Sequence, residues 1–147
     1  MTIICHFVGV TFYTVFINNR KDRKGQTEKM NANQLKYLLR NFYTMQTKIE
    51  FIEKYANKNN ETIINNTYFE NKRTVEMIKD VWKVLEDEEK FIIHTHLICH
   101  HTWIETTEMF SKKFGYEKER SERTLKRFQN KAIQKMLVLI NTTKEIF

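Results

Sequence analysis

From residue 33 onward, apolar residues recur at steps of three and four. That spacing gathers them on one side of a helix instead of alternating them across a strand. In the first such stretch the stripe is Leu35, Leu38, Leu39, Phe42, Met45, Ile49, Ile52 and Ala56, with Lys36, Arg40, Lys48 and Lys54 on the other faces. It predicts one long amphipathic helix within residues 30–58, capped by Asn31 or Asn33, whose side-chain oxygen can accept a bond from a free first-turn amide. A stripe this long suits either docking on the rest of the chain or pairing with a second copy, a homo-oligomer.

Residues 59–73 are rich in Asn and lose the period, which predicts a linker. The pattern returns from Thr74 with Val75, Ile78, Trp82 and Leu85. The acidic run Glu86-Asp87-Glu88-Glu89 then suits a helix N-terminus, with Asp87 as cap, and Phe91, Ile92, His94, Thr95 and Ile98 continue the buried or partly buried side.

Two further amphipathic runs meet at Gly115-Tyr116. At about 100° per residue, the second run gathers Leu125, Phe128, Ala132, Met136 and Leu139 on one side. Arg120, Arg123, Lys126, Arg127, Asn130, Lys131 and Gln134 fall on the other, and Ser121 stands where an N-cap belongs. The predicted architecture is all-α, a long N-terminal helix plus a C-terminal helix-turn-helix domain over residues 74–147.

Charge sharpens this picture. Residues 111–136 hold nine Lys or Arg against three Glu, so they supply +6 of the chain's formal +7. A basic helix after a tight corner is suited to lie against phosphates. Arg can pair bidentately with guanine, and Asn or Gln with adenine, so the same face can read bases. The candidate DNA-binding residues are Arg120, Ser121, Arg123, Thr124, Lys126, Arg127, Asn130, Lys131 and Gln134. Residues near the helix start are expected at base edges, and later ones such as Lys131 and Lys135 along the backbone.

At 147 residues and 41% hydrophobic content, one modest core fits the chain. The absence of Pro and the presence of only three Gly favour helices over tight hairpins. Two cysteines, Cys5 and Cys99, do not make a disulfide scaffold, which points to a reducing cytoplasm. Residues 2–17 are apolar but slightly short for a bilayer span, and their basic cluster follows the run, unlike a signal peptide. Residues 1–29 read as a tail: a membrane anchor, the less favoured reading, or a segment upstream of a translation start at Met30.

Candidate chemistry is sparse. His94, His96, His100 and His101 cluster with Cys99, and His96 and His100 are spaced to share a metal on a helix. Residue 97 is Leu, however, so no HExxH pattern exists, and no second ligand cluster accompanies the first; histidines closing a helix end are the commoner arrangement. Glycine-rich phosphate loops and nucleophile elbows are absent, and Glu105 and Glu108 fall on an exposed face. No metal, cofactor or enzymatic activity is expected.

Residues 82–136 resemble the sigma region 4-like helix-turn-helix of phage late-gene transcription activators of the RinA/ArpU type. The resemblance rests on the segment from Leu85 to Ile93, on Trp103, and on Phe110-Ser-Lys-Lys-Phe-Gly-Tyr116. It continues with Ser121-Glu-Arg-Thr-Leu-Lys-Arg127, Asn130-Lys-Ala132 and Met136. It covers a little over a third of the chain. Glu117, Lys118, Glu119 and Arg120 are additional, since the family passes almost directly from its corner to Ser; the second helix then starts one turn early or the corner is longer. The resemblance implies a cytoplasmic, sequence-specific activator that binds double-stranded DNA and has host RNA polymerase as partner, with no cofactor. The alternative class is a protein-interaction module that modulates another regulator or the polymerase.

Overall fold

The computed structural model describes residues 29–56 and 66–143, and every regular element among them is helical. In order these are α1 (Ala32–Arg40), α2 (Phe42–Ala56), α3 (Asn66–Trp82) and α4 (Asp87–Ile92), which runs into a π-helix (Ile93–Ile98). Then come α5 (Trp103–Phe114), a 3₁₀ turn (Tyr116–Lys118) and α6 (Glu122–Thr143). Residues 2–17 and the other expected tail residues before Lys29 lie outside the described residues. No helix among the described residues is long and apolar enough to cross a membrane.

The single N-terminal helix expected from the stripe is two helices. Asn41 leaves helical geometry at φ −98°, ψ 6°, and its side-chain Nδ2 donates to the Tyr37 carbonyl at 2.8 Å. A side-chain amide that takes up a carbonyl of the last turn competes with continuation of the helix. The Asn41 carbonyl then accepts the Met45 N–H at 2.9 Å to begin α2. At the start of α1, Asn31 is the cap and forms a reciprocal box with Gln34.

The expected linker is also partly helix. α3 begins at Asn66, about two turns before Thr74. Its first turns are held by Tyr68, which is buried and donates its hydroxyl to Glu53 of α2 at 2.8 Å; Lys72 donates to the same carboxylate oxygen at 2.9 Å. Those bonds, Lys72 first, hold the Glu53 carboxyl below its ordinary range. Low-propensity Asn residues hid a helix that tertiary contact stabilises.

Two apolar clusters organise the molecule. The larger joins α1, α2 and α3 to the second half of α6, through residues such as Leu35, Leu39, Ile78, Ile133, Met136 and Ile140. Each such side chain, fully buried, stabilises the fold by roughly 1.5–3 kcal/mol relative to exposure. The smaller centres on Ile92, Phe110 and Leu125, with Phe91, Trp103, Phe114 and Phe128 packed around it. α6 is the element common to both.

A polar tie runs between α4 and α6. Glu89 is buried, and its Oε2 accepts from Lys135 Nζ at 2.8 Å and from the Glu86 N–H at 3.1 Å. Glu86, not Asp87, is therefore the N-cap position of α4. Lys135 also bonds Glu86 at 3.2 Å, and these carboxylates, Glu89 foremost, raise its pKa. Lys135, expected along a nucleic-acid backbone, is thus engaged by the carboxylates of α4. At the opposite edge of the fold, the Met30 N–H donates to Asn141 Oδ1 at 2.8 Å and Asn141 Nδ2 returns a bond to the Met30 carbonyl at 3.0 Å.

Candidate nucleic-acid interface

The corner between α5 and α6 is built residue by residue. Thr102 caps α5: its Oγ1 accepts the Glu105 N–H at 3.3 Å, while Glu105 accepts the Thr102 N–H at 2.7 Å. The bond from the Thr102 amide is the main reason that the Glu105 carboxyl titrates below its usual range. α5 stops at Gly115, whose φ of +96° is poorly accessible to residues with a Cβ. A Cβ there would also stand 3.3 Å from Glu117 Oε1.

Tyr116–Lys118 then make a 3₁₀ turn, closed by Lys118 N–H to the Gly115 carbonyl at 3.0 Å. Glu117, Lys118, Glu119 and Arg120 accordingly belong to the corner and do not start α6 early. Arg120, placed on the helix face by its periodicity, stands in the chain before α6, because the helix begins only after Ser121. Ser121 is the cap: its carbonyl accepts the Leu125 N–H at 3.1 Å and its Oγ accepts the Thr124 N–H at 3.3 Å. The hydroxyls of Ser121 and Thr124 also lie 3.1 Å apart in a mutual hydrogen bond, and Thr124 is half-buried. Both candidates thus shape the helix start.

Beyond the cap, Arg123, Lys126, Arg127, Asn130, Lys131 and Gln134 are all exposed on α6. Arg123, Arg127, Asn130 and Gln134 succeed one another at steps of four, three and four, forming one row about 16 Å long. The row ends where Val138, 64% exposed, replaces polar chemistry. Among the described residues no carboxylate pairs with Arg120, Arg123, Arg127 or Lys131, whereas Lys126 is bridged to Glu122. Leu125 and Gln129, both buried, hold the opposite side of this half of α6.

The two edges of the row differ. On one, Lys36 of α1 donates to Asn130 Oδ1 at 3.4 Å, and Lys126 Nζ lies 5.5 Å from the centre of the Trp103 ring. His96 stacks on Trp103 with ring centres 3.8 Å apart and donates through Nδ1 to the His101 carbonyl at 2.8 Å. Burial, and then the charges of Arg40, Lys126 and Lys36, hold His96 below its ordinary pKa. On the other edge stands the acidic start of α4, with Lys135 engaged by Glu86 and Glu89. The approach of Lys36 to this row was not legible, because periodicity marks Lys36 and Arg40 only as a wet face of α1, and nothing local shows that this face adjoins α6.

The histidines separate. His94 Nε2 lies 2.9 Å from the Tyr43 hydroxyl, His100 Nε2 donates to the Arg40 carbonyl at 3.0 Å, and His101 Nδ1 is 3.6 Å from Glu105. His100 adopts φ +61°, and the His101 N–H reaches back to the Thr95 carbonyl at 3.1 Å, closing the π-helix. Among the described residues no group of three or more His, Cys, Asp or Glu is arranged to hold a metal ion.

Comparison with protein-family models finds no match, and comparisons with curated proteins and with solved structures find none either.

Proposed function

We propose that this chain is a sequence-specific double-stranded DNA-binding transcriptional regulator of the kind found among phage late-gene activators, with α5 and α6 as a helix-turn-helix and α6 as the reading helix. The observation that carries the reading is the exposed row Arg123, Arg127, Asn130 and Gln134, flanked by Arg120 and Lys131, which no carboxylate pairs among the described residues, and backed by a small aromatic cluster. Guanidinium and carboxamide groups at helical spacing supply donors and acceptors matched to base edges in a major groove. Arg120 and Lys131 beside the row supply phosphate contacts. Host RNA polymerase is the partner that such an activator engages, in the cytoplasm, and no cofactor enters the reading.

The test is selection of duplexes from a random pool by the full chain, followed by affinity measurements on the enriched and a scrambled duplex across a salt series. The reading expects enrichment of a defined site and a log–log salt slope of about −0.9 per phosphate neutralised. Absence of duplex retention at about 50 mM salt, where phosphate contacts are strongest, overturns it. Retention by an acidic protein that survives nuclease treatment would then favour the interaction module.

A further inference from the structure

We infer that α1 is part of the nucleic-acid contact: Lys36 and Arg40 grip the phosphate strand that borders the groove entered by α6. This rests on the reading of α6 as a DNA-reading helix. Lys36 reaches Asn130, a member of the α6 row, across 94 positions of sequence. Arg40 lies one turn further along α1, and its carbonyl is fixed by His100. Lys126, one turn before Asn130 on α6, is bridged to Glu122 and lies over the Trp103 ring.

Burial first, and then the charges of Arg40, Lys126 and Lys36, hold His96 below its ordinary pKa, so these cations share its neighbourhood. Among the described residues neither Lys36 nor Arg40 is paired with a carboxylate. Lys36 and Arg40, one turn apart on α1 and without acidic partners among the described residues, raise each other's energy, and a bound polyanion relieves that repulsion. On the opposite edge of α6 stands the start of α4, where Asp87 and Glu88 add negative charge beside the Glu86–Lys135–Glu89 bridge and repel phosphate. A duplex centred on the row is therefore drawn toward α1 and away from α4. Phosphate is the chemistry both α1 side chains fit: Arg40 as a planar fork and Lys36 as a point charge.

The experiment compares the wild-type chain with Lys36→Gln, Arg40→Gln and the double variant on the selected duplex and on a scrambled one, across salt. A second double variant, Lys48→Gln with Lys79→Gln on α2 and α3, removes the same net charge elsewhere. The α1 double variant is expected to lose roughly 10- to 100-fold on both duplexes and to flatten the salt slope by about two units. Lys36→Arg is expected to restore binding, which a role in folding alone would not require, and melting temperatures of all variants are measured alongside. Equal losses in the α2–α3 control, or an unchanged slope in the α1 variants, would sink the inference while leaving the role of α6 intact. A wild-type chain that ignores duplex DNA would instead remove the reading beneath it.

Discussion

The two halves of α6 live in different surroundings. Over residues 122–131 the helix buries Leu125 and Gln129 against a small aromatic cluster and leaves the rest of its circumference wet or half-covered. Over residues 132–140, Ala132, Ile133, Met136, Leu137 and Ile140 are all buried in the large core. One continuous hydrogen-bonded rod thus couples a well-anchored half to a half that is mostly surface. The narrow burial of the first half leaves a polar face exposed, and the wide burial of the second fixes its direction.

The strongest test of this division is to remove the support of each half separately. Phe110→Ala is expected to destabilise by about 3–5 kcal/mol and Met136→Ala by about 2–5 kcal/mol. Calorimetry gives the totals, and amide exchange gives their location. Phe110→Ala should raise exchange over residues 122–131 more than over 132–140; uniform exchange would show that the two clusters are one unit. Phe128 is only half-buried, so Phe128→Ala should cost less than Phe110→Ala.

The next largest effect concerns the wet half. Arg127→Ala is expected to cost about 1–3 kcal/mol on the selected duplex and to relax one base position. Lys131→Ala should weaken selected and scrambled duplex alike and reduce the salt slope by about one unit. Equal losses on both duplexes for both variants would make the row an electrostatic grip without readout.

Lys135 provides a smaller and sharper contrast, because it belongs to the basic run but faces α4. Lys135→Ala should lower the melting temperature by leaving Glu89 buried without its cation, yet leave the salt slope of duplex binding unchanged. A flattened slope would return Lys135 to the phosphate-contacting set.

The smallest expected effect is a pH dependence at the edge between α1 and α6. The folded pKa of His96 lies below its ordinary 6.5, so the unfolded chain binds its proton first. The associated stability is present above about pH 6.5 and is lost as pH falls through the folded value. Thermal melts between neutral and mildly acid pH should show a decline that His96→Gln reduces. A bound duplex, by neutralising Lys36, Arg40 and Lys126, should also reduce it.

Much of the second half of this molecule was legible from the spacing of its residues. Leu125, Ala132 and Met136 are buried where the wheel put them, Ser121 is the cap, and the corner lies at Gly115-Tyr116. The break at Asn41 was not legible, because the three- and four-residue steps pass through it unaltered and only the Asn41 side chain diverts the backbone. The early start of α3 was hidden by its Asn residues, whose weak propensity is overridden by Tyr68 and its bond to Glu53. The direction of Lys135, and the approach of Lys36 to Asn130, depend on partners 46 and 94 positions away, which no local pattern carries.

The clasp between Met30 and Asn141 joins positions 111 residues apart, and it closes the same layer in which α1 packs on the second half of α6. On the ribosome, α1 is made well before the π-helix and α6, on which it docks. Until the π-helix and α6 emerge, Leu35, Leu38 and Leu39 lack their distant partners, so the nascent chain carries an incompletely covered apolar strip. Closure is then a late, single event that spans almost the whole described chain, and contacts of such wide separation slow folding relative to a bundle of neighbouring hairpins. The larger core is a structure that the chain completes only once α6 has been made.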